Sequence, residues 1–126
     1  MTEQHRNRTE LGAWGEDRVE EALLEAGYRI LRRNFRCRLG EIDLIAEKDG
    51  ILAFVEVKLR KNSSHGEARE FVTSEKQRKL RLAASFYLSG DSRAQELQPR
   101  FDVAEVYAPR GMDGPFTIHY LENAFE

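Results

Sequence analysis

The sequence is short of cysteine and of long apolar runs, and each shortage removes a class of protein. Cys37 is the only cysteine among 126 residues, so no disulfide can close within the chain and no Cys/His set has zinc-ligand spacing. Apolar stretches are only a few residues long, which excludes a membrane-spanning helix. Met1 to Arg8 is polar and lacks an apolar signal region, so a cytoplasmic, reducing setting is expected. Internal repeats, low-complexity tracts and long linkers are also missing, and the length suits one domain over 1–126, with 1–8 as a flexible tail. The net charge of −2 gives no sign by itself of a polyanionic partner.

What is present is the material of a folded α/β domain. Hydrophobic residues make up 40%, enough for one core. Leu11, Trp14, Val19, Ala22, Leu23 and Ala26 recur at helical spacing, which predicts a helix over Thr9 to Ala26, with Gly27 as its stop. Tyr28 to Arg36 alternates as a strand with a basic outer face. Gly40 to Lys48 and Ile51 to Arg60 read as two strands around Asp49-Gly50, a dipeptide typical of a two-residue hairpin turn. Lys61 to Thr73 is polar and reads as a mobile loop. Ser74 to Gln77 fits a capping box opening a helix to about Leu88. Phe101 to Ala108 and Phe116 to Leu121 are two more strands. This order predicts a mixed sheet flanked by helices.

Charge is distributed unevenly. Arg29, Arg32, Arg33, Arg36 and Arg38 fall in a stretch with no acid, and Lys58, Arg60, Lys61 and then Lys76, Arg78, Lys79, Arg81 form two further basic clusters. The acids Glu16, Asp17, Glu20, Glu21 and Glu25 gather on the first helix. Separated faces of this kind let an acidic chain hold a polyanion locally, although any one cluster taken alone reads better as solvated surface.

The hairpin carries the chemistry. With Asp49-Gly50 as the turn, Lys48 pairs with Ile51, which sets Ile45 opposite Phe54, Asp43 opposite Glu56 and Glu41 opposite Lys58 on one side. The other side then carries Ile42, Leu44, Ala46, Ile51, Ala53, Val55 and Val57. Asp43 and Glu56 become direct neighbours with Cβ atoms about 4.5–5.5 Å apart. Two carboxylates so close repel unless a cation lies between them, and hard divalent cations take one or two carboxylates plus other oxygens. The Val57 carbonyl offers one more oxygen, and Lys58 projects beside Glu56. An acid pair, a metal and a lysine make a workable phosphodiesterase centre. The bland alternative is a solvent-facing hairpin with a Glu41–Lys58 surface ion pair, and the Glu-x-Lys triplet alone does not choose between them.

The blocks Arg33-Asn34-Phe35-Arg36, Gly40-Glu41-Ile42-Asp43-Leu44-Ile45-Ala46, Phe54-Val55-Glu56-Val57-Lys58, Arg100-Phe101-Asp102-Val103 and Glu122-Asn123-Ala124-Phe125 resemble the YraN family of small bacterial proteins. That family is similar to the PD-(D/E)xK nucleases, the restriction-endonuclease-like group that includes archaeal Holliday junction resolvases. The resemblance implies an α-β-β-β-α-β core plus a C-terminal strand, and a Mg²⁺- or Mn²⁺-dependent phosphodiester hydrolase. It implies Asp43 and Glu56 as metal ligands, Lys58 as the catalytic lysine and Glu16 as the first-helix acid. Gln77 matches a helix-borne polar residue near such sites, with a capping role as its structural alternative. Leu59 departs from the family, which more usually has a small polar residue there.

Three readings follow. The first is an endonuclease acting on nucleic acid, DNA ahead of RNA, with Arg33, Arg36, Arg38, Arg60, Lys61, Lys76 and Arg78 holding phosphates and the 61–73 loop ordering over the substrate. The second is a non-catalytic nucleic-acid-binding module, and the third an interaction subunit of a DNA-processing complex. A homodimer stays open under all three.

Overall fold

The computed structural model describes residues 3–61 and 72–126, with side chains from Glu10 onward. Helix α1 spans Glu3–Glu25, strand β1 Arg29–Cys37, β2 Gly40–Lys48 and β3 Ile51–Arg60. Helix α2 spans Ser74–Ser89, and strands β4 (Gln98–Tyr107) and β5 (Thr117–Phe125) complete the chain. Helix α1 begins earlier than the apolar pattern marks, because Glu3 to Arg8 contains no apolar residue to report it. The expected 61–73 loop lies mostly outside the described residues.

The five strands form one sheet in the order β1-β2-β3-β4-β5. β3 and β4 are parallel, joined through α2, and the remaining neighbours are antiparallel. This is the helix, three strands, helix, strand arrangement of the restriction-endonuclease-like fold, extended by β5. A parallel pair needs a crossover, and the α2 segment supplies it.

Each face of the sheet is covered by one helix. On the α1 side, Val19 and Leu23 pack with Leu44, Ala46, Ala53, Val55, Ala104 and Val106. On the α2 side, Leu80, Ala83 and Ala84 pack with Phe35, Ile42, Ile45, Leu52, Phe54 and Val103. The hairpin is therefore buried on both faces, as strands beside a parallel pair usually are. Its turn has φ of 50° at Asp49 and 82° at Gly50. Positive φ at both central residues is the mark of a type I′ turn, whose twist suits the strands it joins.

Other boundaries differ from expectation as well. The N-cap of α2 is Thr73, one residue ahead of the expected Ser74, and its hydroxyl accepts from the Lys76 N–H at 3.2 Å. β4 begins at Gln98, whose N–H donates to the Gly50 carbonyl and starts the parallel pairing early. β5 continues past Leu121 to Phe125, because the Asn123 N–H donates to the buried Asp102 carboxylate and Phe101 pairs with Phe125.

Candidate active site

The predicted register holds where the ladder between β2 and β3 is recorded: Lys48 faces Ile51, Glu47 faces Leu52, Ile45 faces Phe54 and Leu44 faces Val55. One step further, the Val57 N–H donates to Asp43 Oδ2 at 2.8 Å. A side-chain carboxylate thus takes a backbone donor at the mouth of the hairpin, and the next side chains on β3 are Glu56 and Lys58.

A break in side-chain alternation sits at the same rung. Residues two apart on a strand ordinarily share a face. Yet Ile42 lies in the α2-side core and Leu44 in the α1-side core. In β1, Arg33 bonds to Asp17 of α1 while Phe35 is in the α2-side core. The flanking pairs are Arg33 with Leu44 and Phe35 with Ile42, so Asn34 and Asp43 are the residues at the break. Asn34 has φ of 54°, a left-handed conformation that asparagine tolerates better than most residues. The expectation that Ile42 shares a face with Leu44 and Ala46 is corrected accordingly.

The break lets acids from both sides of the sheet converge. Glu16 of α1 accepts from Asn34 Nδ2 at 3.1 Å and pairs with Arg33 Nε at 3.4 Å. Glu56 of β3, with its side chain only 6% exposed, lies on the α2 side, where it meets Lys76 of that helix. Asp43 stands between them. Burial pushes the Asp43 carboxyl up to about 8, and the charges of Glu56 and Glu16 push the same way against the Val57 N–H.

Two lysines answer Glu56. Lys76 Nζ lies 2.6 Å from Oε2 and Lys58 Nζ lies 3.5 Å from the same oxygen. Glu41, the alternative partner for Lys58, instead pairs with Arg36 across β1 at 3.3 Å. Lys58 therefore pairs with Glu56, not with Glu41 as a surface ion pair.

The other candidate residues divide by what holds them. Arg33 is tied to α1 through Asp17, Glu20 and the Ala13 carbonyl. Arg60 is bonded to the buried Glu105 at 2.7 Å. Arg78 pairs with Glu75 one helical turn away at 2.6 Å. Gln77 Nε2 donates to the Val72 carbonyl at 2.9 Å, bracing the entry to α2. Lys61 is exposed at the end of β3. Arg36, Arg38 and Lys76 line an open cleft of about 640 Å³, together with Lys79, Glu41 and Glu75. The cleft borders the acid site through Lys76 and carries four basic side chains against two acids.

Sequence reasoning did not find Asn34, nor the contact of Lys76 with Glu56. An asparagine inside an apolar-patterned strand is a signal for the first, since Asn is enriched at positive φ. No local signal marks the second, which needs the packing of α2 on the sheet.

The donor set suits a hard cation. Among the described residues no group of three or more His, Cys, Asp and Glu side chains is gathered to hold a metal. Mg²⁺, however, usually keeps several waters and takes only one or two carboxylates. Asp43 and Glu56 supply that number, and the ammonium already against Glu56 marks where positive charge is accommodated.

A sequence profile described as "Uncharacterised protein family UPF0102" matches residues 15–106, which include Glu16, Asp43, Glu56, Lys58 and Lys76. The chain is 41% identical over 119 residues to a UPF0102 protein of Caldicellulosiruptor saccharolyticus, covering 94% of this chain and 99% of that one. It is 47% identical over 116 residues to a UPF0102 protein of Symbiobacterium thermophilum, covering 91% and 95%. A UPF0102 protein of Alkaliphilus metalliredigens is 43% identical over 115 residues, covering 91% and 96%. The chain belongs to the UPF0102 family, to which the YraN resemblance points.

Proposed function

We propose that the chain is a Mg²⁺- or Mn²⁺-dependent phosphodiester hydrolase acting on nucleic acid, with DNA favoured over RNA. The observation that carries this reading is the meeting of Asp43 and Glu56 at the hairpin mouth with Lys58 beside them. A purely binding surface has no use for opposed carboxylates, one of which is driven toward protonation. Asp43, Glu56 and the Val57 carbonyl would hold the cation, which supplies Lewis-acid polarisation of the phosphoryl oxygen and a more acidic water.

The chain's own residues do the rest. The Val57 N–H fixes the Asp43 carboxylate, so its second oxygen is presented in one direction. Lys58 holds an ammonium where it orients the attacking water or offsets charge developing on the phosphorus oxygens. Asn34 and Arg33 fix Glu16 on the opposite side, as an auxiliary acid. Arg36, Arg38 and Lys79 in the adjoining cleft supply phosphate contacts.

The test is cleavage of single-stranded, duplex, flap and four-way-junction DNA, and of matched RNA, with Mg²⁺, Mn²⁺ or chelator. Metal-dependent cutting that chelator abolishes is expected, and the substrate that is cut fastest identifies the nucleic-acid structure. Binding without cutting on every substrate would overturn the hydrolase and leave a binding module.

A further inference from the structure

Lys76 is the least expected member of the site. It stands in the first turn of α2, where Thr73 Oγ1 caps its N–H at 3.2 Å and fixes the backbone from which it reaches. Its ammonium makes the shorter of the two contacts with Glu56, 2.6 Å against 3.5 Å for Lys58. Its side chain is 43% exposed and lines the basic cleft with Arg36, Arg38 and Lys79. The ammonium therefore has two places to go. One is on the acid pair, and the other is in the cleft, a side-chain rotation away.

The two places exclude each other once a divalent cation is bound. An ammonium hydrogen-bonded to Glu56 Oε2 occupies a lone pair of a ligand oxygen and adds positive charge where a second cation must come. At a few ångströms that repulsion is several times thermal energy, even with partial solvent screening. A lysine has a long flexible stem and relieves the conflict by swinging out.

We infer that Lys76 is a built-in counter-ion of the Asp43–Glu56 pair, displaced when metal binds and then added to the phosphate-binding cleft. The inference rests on the metal reading above and says more: metal loading and polyanion binding are coupled through one side chain. By linkage the coupling is reciprocal, so a polyanion that draws Lys76 into the cleft also favours metal on the acids.

The experiment is a calorimetric Mn²⁺ titration, without nucleic acid, of the wild type and of Lys76→Met, Lys76→Arg and Lys79→Met. Methionine keeps the apolar stem and removes the charge. Lys76→Met should bind Mn²⁺ about tenfold more tightly than wild type, since a competing cation is gone. Lys76→Arg should stay near wild type. Lys79→Met, the same charge change in the cleft but away from Glu56, should move affinity by less than about twofold under the same salt. Equal or weaker binding by Lys76→Met overturns the inference while leaving the metal site standing. An equal gain in Lys79→Met also overturns it, because the effect is then the general field. Absence of Mn²⁺ binding in all four proteins overturns both this inference and the metal reading. Binding in Lys76→Met alone supports it, with Lys76 a stronger competitor than inferred. Thermal melts of each variant establish that it is folded before titration.

Discussion

Asp43→Asn should abolish metal-dependent cleavage and at the same time make the metal-free protein more stable. The loss of activity follows from removing one of the two proposed charged ligands, and a drop of at least about a thousandfold is expected. The gain in stability follows from the raised Asp43 carboxyl. Its ordinary value is 3.8, and in the fold burial, Glu56 and Glu16 bring it to about 8. Between those limits the folded protein holds a proton that the unfolded chain has released. Stability therefore falls as pH rises across that window, by at most about 1.4 kcal/mol per pH unit, and levels off above pH 8. Asparagine does not titrate, and its carbonyl can still accept from the Val57 N–H. Lys58 and Lys76 nearby soften the effect, so a gain of about 2–3 kcal/mol over wild type at pH 8 is expected, shrinking toward pH 5. Urea unfolding at pH 5, 6.5 and 8 in chelator reads this directly. Parallel pH dependence in the two proteins would show that the acids do not crowd each other.

Asp102→Ala should cost stability without touching the acid site. Asp102 is 1% exposed. It accepts from Arg100 Nε and Nη2, both at 2.9 Å, from the Tyr120 hydroxyl at 2.6 Å and from the Asn123 N–H at 2.9 Å. Arg100 donates in addition to the Tyr28 hydroxyl at 2.6 Å. Asp102 and Arg100 together thus join β4, the end of β5 and the residue just ahead of β1. Burial and the Asp102 charge push the Tyr120 hydroxyl up, which keeps it a donor. Removing the carboxylate leaves a guanidinium without its main charged partner and a phenol and a backbone N–H without their acceptor, a loss of about 3–5 kcal/mol. For a chain of this size that lowers Tm by about 10–20 °C. Differential scanning calorimetry checks it, and hydrogen exchange should show β5 amides opening first. A loss under about 1 kcal/mol would mean that the network is redundant.

Much of this architecture was legible in the sequence, for reasons that differ between elements. The Asp49-Gly50 turn fixed the hairpin register because a two-residue loop leaves no freedom in pairing. That register held from Lys48 opposite Ile51 to Leu44 opposite Val55. It failed to predict the face of Ile42, since strict alternation assumes ordinary strand dihedrals and the rung at Asn34 does not have them. Helix α2 was visible in the capping-box pattern of Ser74 to Gln77, but the choice between Thr73 and Ser74 as cap depends on one dihedral that composition does not encode.

The basic residues show the same limit. Arg36, Arg38 and Lys76 line the cleft, whereas Arg33 and Arg60 are committed to carboxylates within the fold. Sequence charge alone cannot separate these, because an arginine that braces a helix and one that awaits a phosphate look identical until their neighbours are placed. The Arg100-Phe101-Asp102 block, by contrast, serves the fold: a carboxylate two residues from an arginine on one strand face meets it directly.

The most direct test of the proposed phosphodiesterase centre is the single-turnover cleavage rate of Lys58→Ala beside wild type, on the substrate wild type cuts fastest, in saturating Mg²⁺. Lys58 is 28% exposed and contacts Glu56 without being a ligand, so the variant should fold, bind metal and bind substrate. Its cleavage rate should fall by about a hundredfold to a thousandfold, the loss expected for removing a charge that acts in the transition state. Cleavage at the wild-type rate would contradict the assignment of Asp43, Glu56 and Lys58 as the reaction centre.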